Sequence, residues 1–144
     1  MLEVTDAIIE VWGAGKVGMH LAPRGDAHDL SDSNNLVLFS YVASELGKRK
    51  IAFIFTREYL GSDSISEEIR KQFGGVLIAN EKFTKDSAEK ILNEKKADAV
   101  SFGVPYISNP DLVKRFAENA PLNETNFQTL YAEGEIGYTD YPTL

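Results

Sequence analysis

The 144-residue sequence contains no cysteine, only two histidines and no excess of positive charge. Without cysteine, disulfide scaffolds, thiolate-ligated zinc sites and cysteine nucleophiles are excluded. Fifteen Lys and Arg against 22 Asp and Glu give a net charge of −7, which argues against a nucleic-acid partner because phosphate binding relies on clustered cations. No apolar run approaches the roughly 18 residues that a membrane span needs, and the N-terminus is acidic. We therefore expect no membrane association and a cytoplasmic location.

What the sequence does contain is an alternation of short apolar runs with helical patterns. Helical spacing from Leu2 to Val11 precedes four strand–helix units, and no helical pattern continues beyond Pro121. The predicted strands span residues 17–21, 51–55, 76–79 and 97–102. The second is continuously apolar, which predicts a strand buried on both faces. This order predicts parallel βαβ units, and therefore an α/β fold of one domain.

Capping residues predict where the helices begin. Ser33 is positioned to cap a long helix, Ser64 or Ser66 opens the next, and Thr84 caps the third. The Asn-Pro-Asp run at residues 109–111 predicts a further helix start, because it supplies a capping Asn, a Pro at the first position and an acid in the first turn.

The segment from Gly13 to Gly18, GAGKVG, matches the G-x-G-x-x-G pattern of dinucleotide-binding loops. That function requires the motif to follow a strand and open a helix, so that pyrophosphate meets the helix N-terminus. Here a predicted helix precedes the motif and a strand follows it. The segment is not a P-loop either, because Val17 stands where a Ser or Thr would hold magnesium. We predict a helix-to-strand turn.

The two histidines, His20 and His28, do not have the spacing of metal ligands. Asp26 and Asp29 flank the second, but eight residues across a predicted loop favour a solvated segment over a metal site. No serine has a plausible His and Asp partner in the sequence. We therefore assign no metal ligand and no catalytic residue.

The position of the strands still indicates where a ligand would bind, since α/β folds bind ligands at the carboxyl ends of their strands. These ends are residues 20–23, 56–58, 79–82 and 102–105. The tail adds four aromatic side chains, Phe127, Tyr131, Tyr138 and Tyr141. Two interpretations remain open: the rings fasten the tail to the core, or the tail closes over a ligand.

The runs FGVPYISNPDL (102–112), APLN (120–123) and GYTDYP (137–142) resemble the C-terminal end of the Old Yellow Enzyme family. The stretches EVWG (10–13), SDS (31–33) and IAN (78–80) resemble that family in register. Its members are FMN-dependent, NAD(P)H-oxidising ene-reductases on a (β/α)8 barrel. The resemblance implies the C-terminal half of a TIM barrel, a single half-barrel domain spanning 1–144. A leading helix and four βα units would occupy 1–120, and an aromatic tail 121–144.

The resemblance covers only the second half of such an enzyme. A complete barrel takes about 250 residues or more. The matched half lacks the family's His-Asn or His-His pair that binds the substrate carbonyl, its proton-donating Tyr, and its Thr and Gln flavin contacts.

The flavin-binding positions that the resemblance does reach are altered. The family has an Arg beneath the flavin at His20, a second Arg on the FMN phosphate at Val104, and Gly-Gly at Glu81–Lys82. Four other positions match its flavin contacts: Ala79, Asn80, Gly103 and Tyr131. The resemblance thus implies FMN as cofactor with weak or lost binding, and a role for NAD(P)H only if flavin is bound.

These observations favour a fragment or truncated, degenerate paralogue of a flavin oxidoreductase, without turnover on its own. The alternative is half of a two-part or self-dimerised flavin enzyme that still binds FMN. A third interpretation is an independent flavodoxin-like binding module. Because a parallel half-barrel would expose one face and two strand edges, the expected partner is a second copy or a complementary N-terminal half. A leading helix that covers the open face would make a partner unnecessary.

Overall fold

The computed structural model describes residues 1–24 and 32–144. These residues group into two compact units, residues 1–101 and residues 102–144. The predicted loop around His28, with Asp26 and Asp29, lies outside the described residues. Across the described ranges, no helix has the length and apolar character needed to cross a membrane.

Four helices and one parallel sheet form the first unit. The helices are α1 (Leu2–Trp12), α2 (Asn35–Lys48), α3 (Ser66–Phe73) and α4 (Lys85–Asn93). The strands are β1 (Gly18–Leu21), β2 (Phe53–Arg57), β3 (Val76–Asn80) and β4 (Ala99–Val100). The strands lie side by side in chain order, and every neighbouring pair is parallel. The predicted α/β alternation is confirmed.

One face of this sheet carries the core. Ile54 of β2 and Leu77 of β3 are register partners and are fully buried, together with Leu46 of α2 and Ile69 of α3. Helices α2 and α3 approach closely at Gly47, where a Cβ atom would lie 2.4 Å from the Phe73 carbonyl oxygen. Any larger residue there would push the two helices apart.

The opposite face of the sheet is less covered. Phe53, Phe55 and Ile78 alternate with the buried residues and are half-buried, and Val76 on the same face is 45% exposed. The prediction that the second strand is buried on both faces is therefore wrong. Sequential parallel strands joined by crossovers of one hand place their helices on one side, which leaves the other side without a helical layer.

Helix α1 packs on the covered side. Its Leu2 and Ile9 contact the same core as α2 and α3. Arg49, which follows α2, donates to both carboxylate oxygens of Asp6 at 2.6 and 3.0 Å. The leading helix therefore does not cover the open face, contrary to one of the two arrangements expected from the sequence.

The GAGKVG segment forms the predicted helix-to-strand turn. Gly13 ends α1 with a φ of 81°, residues Ala14–Lys16 form a short 3-10 turn, and β1 begins at Gly18. A Cβ atom on Gly18 would lie 2.3 Å from the ring of Phe53. Gly13 thus permits the tight helix-to-strand connection, and Gly18 permits the close contact between β1 and Phe53 of β2.

The helix starts agree with the sequence in part. Thr84 caps α4 in a reciprocal capping box with Ser87, as predicted, and α3 begins at Ser66. The cap of α2 is Asn34 rather than Ser33, since the Asn34 side chain accepts from the Val37 amide at 3.2 Å.

Two predicted boundaries near residue 100 differ from the structure. The fourth strand extends over two residues, Ala99–Val100, because only these pair with β3. The expected helix start at Asn109 is not one: Asn109 is buried, and its side chain donates to the Pro105 carbonyl at 2.8 Å. That bond closes α5 (Val104–Ser108), and α6 (Leu112–Glu118) begins only after Asp111.

The second unit consists of α5, α6 and the irregular tail, which polar bonds hold in place. The buried Arg115 side chain donates to Asp111 at 2.7 Å, to the Pro121 carbonyl at 2.6 Å and to the Pro142 carbonyl at 2.9 Å. The Asn123 side chain also donates to Pro142, at 2.8 Å.

The aromatic residues of the tail differ in their contacts. Phe127 is 76% exposed and Tyr131 is 83% exposed, while Tyr141 contributes its hydroxyl as an acceptor for the Asn126 amide. The interpretation that the rings hold the tail to the core is therefore wrong for Phe127 and Tyr131. Closure over a ligand stays a prediction.

An ion pair joins α3 to the segment before β4, and it predicts a pH dependence. Asp98 accepts a bidentate pair of bonds from Arg70 and a third from the Leu77 amide at 2.8 Å. The Arg70 guanidinium lowers the pKa of the Asp98 carboxyl below its usual range. This stabilisation is present above the unfolded-state pKa of about 3.9 and is lost as pH falls through the lower folded-state value.

We expect Asp98→Asn to lower the free energy of unfolding by about 1 kcal/mol at pH 7, because both groups of the pair are partly exposed. Urea denaturation at pH 7 and near pH 2 measures this, and the difference from the wild type should shrink at the acidic pH. A double-mutant cycle with Arg70→Gln isolates the pair. If Asp98→Asn lowered the free energy of unfolding as much near pH 2 as at pH 7, the charge of Asp98 would not be the cause of the loss.

Candidate functional site

Charged side chains gather at the carboxyl ends of β1, β2 and β3. Four of them, Arg24, Arg57, Glu81 and Lys82, line a cavity of about 270 Å³ together with Tyr59. Each follows or ends a strand, so the parallel sheet brings them to one edge. The sequence predicts this edge from the strand ends.

A buried carboxylate organises the loop after β2. Glu58 is 2% exposed and accepts from the amides of Ile65 and Ser66, both at 3.0 Å, and from the Ser64 hydroxyl at 2.6 Å. A carboxylate at the start of α3 is also favoured by the helix dipole. Glu58 therefore fixes the loop that carries Tyr59 and is not available to a ligand.

Arg24 is largely committed to its own neighbours. It donates to the Asp63 carboxylate and to the Tyr59 carbonyl, and its Nε lies 3.6 Å from the Glu58 carboxylate. The bond from Arg24 lowers the pKa of the Asp63 carboxyl. The guanidinium thus ties the segment after β1 to the loop after β2, with its charge balanced.

Glu81 and Lys82 have an unusual backbone. Their φ angles are 104° and 57°, in the left-handed region that favours glycine. The Glu81 carboxylate lies 3.4 Å from the Arg57 Nε, and the Lys82 ammonium lies 5.5 Å from the centroid of the Tyr59 ring. Among the described residues, no carboxylate lies within 4.0 Å of the Lys82 ammonium.

The other candidate residues of the first unit have structural partners. Ala79 is buried, and the Asn80 side chain donates to the Ser101 carbonyl at 2.8 Å. His20 is exposed and stacks edge-on against Phe55 with ring centroids 4.8 Å apart. His20 thus belongs to β1, and Ala79 and Asn80 belong to β3.

Three candidate residues belong to the second unit. Gly103 precedes α5 and is open, since a Cβ atom there would meet nothing within 4 Å. Val104 is the first residue of α5, and Tyr131 lies in the exposed part of the tail.

Sequence reasoning missed Arg24 and Tyr59 as members of the cavity. Arg24 lies three residues past the end of β1 and Tyr59 two residues past the end of β2. One more residue on each predicted end segment, 20–23 and 56–58, would have included them. Within residues 1–24 and 32–144, no group of three or more His, Asp and Glu side chains is arranged to hold a metal ion.

Comparison with known proteins gives a consistent result. A family model described as the NADH:flavin oxidoreductase / NADH oxidase family matches residues 1–123. The chain is 40% identical over 147 residues to a 12-oxophytodienoate reductase-like protein of Solanum lycopersicum, covering 99% of this chain and 40% of the relative. It is 37% identical over 150 residues to a probable flavin mononucleotide-dependent alkene reductase of Leishmania infantum, covering 100% and 40%.

Solved structures are similar over the same extent. Morphinone reductase matches with a TM-score of 0.90 and 39% identity, over 99% of this chain and 40% of that one. The old yellow enzyme from Trypanosoma cruzi matches with a TM-score of 0.91 and 30% identity, over 99% and 39%. The chain therefore spans about 40% of the length of these relatives.

The left-handed backbone of Glu81 predicts that glycine would be more stable there. We expect Glu81→Gly to raise the free energy of unfolding by about 1 kcal/mol, because relief of backbone strain outweighs one exposed ion pair. Urea denaturation measures the change.

The matched control is Glu89→Gly, which makes the same substitution at an exposed position inside α4 and also removes a weak ion pair, with Lys85 at 3.9 Å. There glycine should lower the free energy of unfolding by about 1 kcal/mol. If both substitutions changed the free energy of unfolding in the same direction, the assignment of backbone strain to Glu81 would be contradicted.

Proposed function

Because the chain belongs to the NADH:flavin oxidoreductase / NADH oxidase family, we propose that it forms the C-terminal half of a flavin-reductase barrel with a weakened FMN site. The reaction class is reduction of an activated alkene by NAD(P)H through FMN. The chain spans about 40% of its relatives' length. The resemblance assigns the substrate-binding pair and the proton-donating Tyr to the remainder, so the chain has no turnover alone.

The observation that carries this proposal is Glu81. Where the resemblance expects a glycine whose backbone approaches the FMN phosphate, this chain has a carboxylate at the sheet edge, 3.4 Å from Arg57. A carboxylate repels a phosphate and already neutralises the nearest guanidinium. The residues present therefore do not fit a flavin phosphate in the way that the resemblance implies.

Two further positions act in the same direction. His20 and Val104 replace the two arginines that the resemblance places against the flavin ring and its phosphate. Loss of one hydrogen bond to a charged group costs roughly 1.5–3 kcal/mol, or about ten- to a hundredfold in affinity. Several such losses take FMN affinity far below that of a flavoprotein.

The open face of the sheet favours a second candidate, half of a two-part or self-dimerised flavin enzyme. Phe53, Phe55 and Ile78 are apolar and only half-buried there. Parallel sheets are stable when both faces are covered. A second copy of the chain, or a complementary half-barrel, would bury this face and complete a flavin site.

For the isolated chain we expect no submicromolar FMN binding in a flavin-fluorescence titration. Glu81→Gly combined with Val104→Arg should tighten binding at least tenfold, because it removes a repelling charge and adds a bidentate phosphate donor. Glu81→Gly with Val113→Arg is the control, since Val113 is exposed on α6 and the added charge is the same.

Submicromolar binding by the unchanged chain would contradict the weakened site. So would NADPH-dependent reduction of N-ethylmaleimide above a free-FMN control, which would favour the two-part enzyme. An equal gain in both double variants would show that an arginine at residue 104 does not contact the phosphate, which would contradict the role given to that position.

We expect the chain to form a two-fold dimer through the open face, with twice the 16.0 kDa mass in light scattering at micromolar concentration. Val76→Lys should weaken the dimer at least tenfold by placing a charge on that face. Val37→Lys makes the same change on an exposed residue of α2 and should leave it intact. A cooperative 16.0 kDa monomer without exposed-surface dye binding would contradict this partner.

A further inference from the structure

Helix α1 has a second apolar face besides the one that packs on the core. Leu2 and Ile9 contact the core cluster of the first unit. With 3.6 residues per turn, the other apolar side chains of the helix fall within a stripe about 100° wide, the width of a face that packs against another helix. Four residues form this outer stripe, and they are between 43% and 74% exposed: Val4, Ile8, Val11 and Trp12.

The outer stripe has the character of a contact surface. Single exposed apolar residues are ordinary, but a contiguous exposed row on one helix marks a site of interaction. Trp12, the only tryptophan of the chain, is 64% exposed, and tryptophan is enriched among the residues that anchor protein interfaces. Because α1 packs on the helix-covered side of the sheet, the outer stripe is separate from the open face.

The charge beside the outer stripe is negative. Helix α1 carries three carboxylates and no Lys or Arg. Asp6 is neutralised by Arg49, whereas within residues 1–24 and 32–144 neither Glu3 nor Glu10 has an ion pair or a side-chain hydrogen bond. On the helix surface, only the small Ala7 separates these two glutamates from the stripe, so long cationic side chains on a neighbouring helix reach them.

We propose that the outer stripe docks an amphipathic helix of another protein, one that carries Lys or Arg beside its apolar face. The stripe supplies apolar burial, and Glu3 and Glu10 orient the partner. A second copy of α1 fits poorly, because an antiparallel twofold pair places the same acidic flank against itself.

The size of the stripe predicts a transient contact. Helix α1 has 11 residues and is therefore about 16 Å long, which is short for a permanent interface. The docking surface does not depend on whether the chain binds FMN.

Trp12 reports docking in the full chain, because burial of an exposed indole shifts its fluorescence to shorter wavelength. The probe is a synthetic amphipathic helix of about 20 residues without tryptophan, with Leu on one face and Lys on both flanks. One control peptide has Glu in place of Lys, and the other has Ser in place of Leu. We expect the Lys–Leu helix to bind roughly tenfold or more tightly than either control.

The apolar contact is tested by Val4→Asp, with Val37→Asp as the matched control. Both valines are 63% exposed and stand third in their helices, where an added carboxylate favours the helix. A new negative charge by itself attracts a basic helix, so a loss of binding identifies the apolar contact. We expect Val4→Asp to weaken binding by roughly tenfold and Val37→Asp to leave it unchanged.

The charged contact is tested by Glu10→Gln, which should weaken binding of the Lys–Leu helix by about threefold. Glu118→Gln is its control, because Glu118 is also an exposed glutamate in the last turn of a helix, α6. That variant should bind as the wild type does.

Thermal melts identify any variant that has lost its fold, and Val11→Gln replaces Val4→Asp if that variant unfolds. Three results would overturn the proposal: no saturable shift with the Lys–Leu helix, equal losses in the Val4 and Val37 variants, or equal affinity for the Lys and Glu peptides. A shift of Trp12 fluorescence on concentrating the chain alone would assign the stripe to a second copy. A shift with neutral phosphatidylcholine vesicles would assign it to a lipid surface, and either result overturns a basic helix as the occupant.

Discussion

The one-sided packing of a sequential parallel sheet is the constraint on which the rest of the first unit depends. Strands in chain order, joined by crossovers of one hand, place the connecting helices α2, α3 and α4 on the same face. That face acquires the full core, with Ile54 and Leu77 completely buried between sheet and helices. The same constraint directs all the strand ends to one edge, so residues distant in sequence, such as Arg57 and Lys82, line one cavity. It also leaves Phe55 on a face that only another layer can cover.

Local sequence signals predicted the elements well where one residue decides the geometry. Thr84 has a hydroxyl that accepts from the Ser87 amide at the start of α4, at 3.2 Å. The cap of α2 was displaced by one residue because Asp32 accepts from the Asn34 amide at 2.7 Å, and that turn brings Asn34 into the capping position. The predicted start at Asn109 failed for a tertiary reason. Its side chain accepts from the Asn123 amide at 2.7 Å, a contact across fourteen residues that no local pattern records.

The location of the candidate site was predictable from the sequence, whereas the contacts between its side chains were less predictable. Parallel strands fix which edge gathers polar side chains. The sequence placed the ends of β1 and β3 to within one residue, but it ended β2 two residues early and β4 two residues late. The partners across that edge depend on loop conformation, which a single buried carboxylate sets here. In the sequence, Glu58 is an ordinary acidic residue after a strand. In the structure it accepts hydrogen bonds from the amides of Ile65 and Ser66 and so positions Tyr59. The tail is a second case in which the sequence did not predict the contacts. Its aromatic residues suggested packing, but the Arg115 side chain holds it by donating to the Pro121 and Pro142 carbonyls.

The Glu81–Lys82 turn links the backbone conformation at the end of β3 to the charge of the sheet edge. Both residues keep a backbone conformation suited to glycine, so the turn is imposed by the surrounding strands rather than by the residues themselves. In place of the freedom of glycine, the chain has side chains that find local partners: a carboxylate beside Arg57 and an ammonium over Tyr59. A pair of glycines would leave Arg57 without that counterion and the edge cationic. The Glu81 carboxylate thus partly neutralises this edge, while Lys82 keeps a positive charge there.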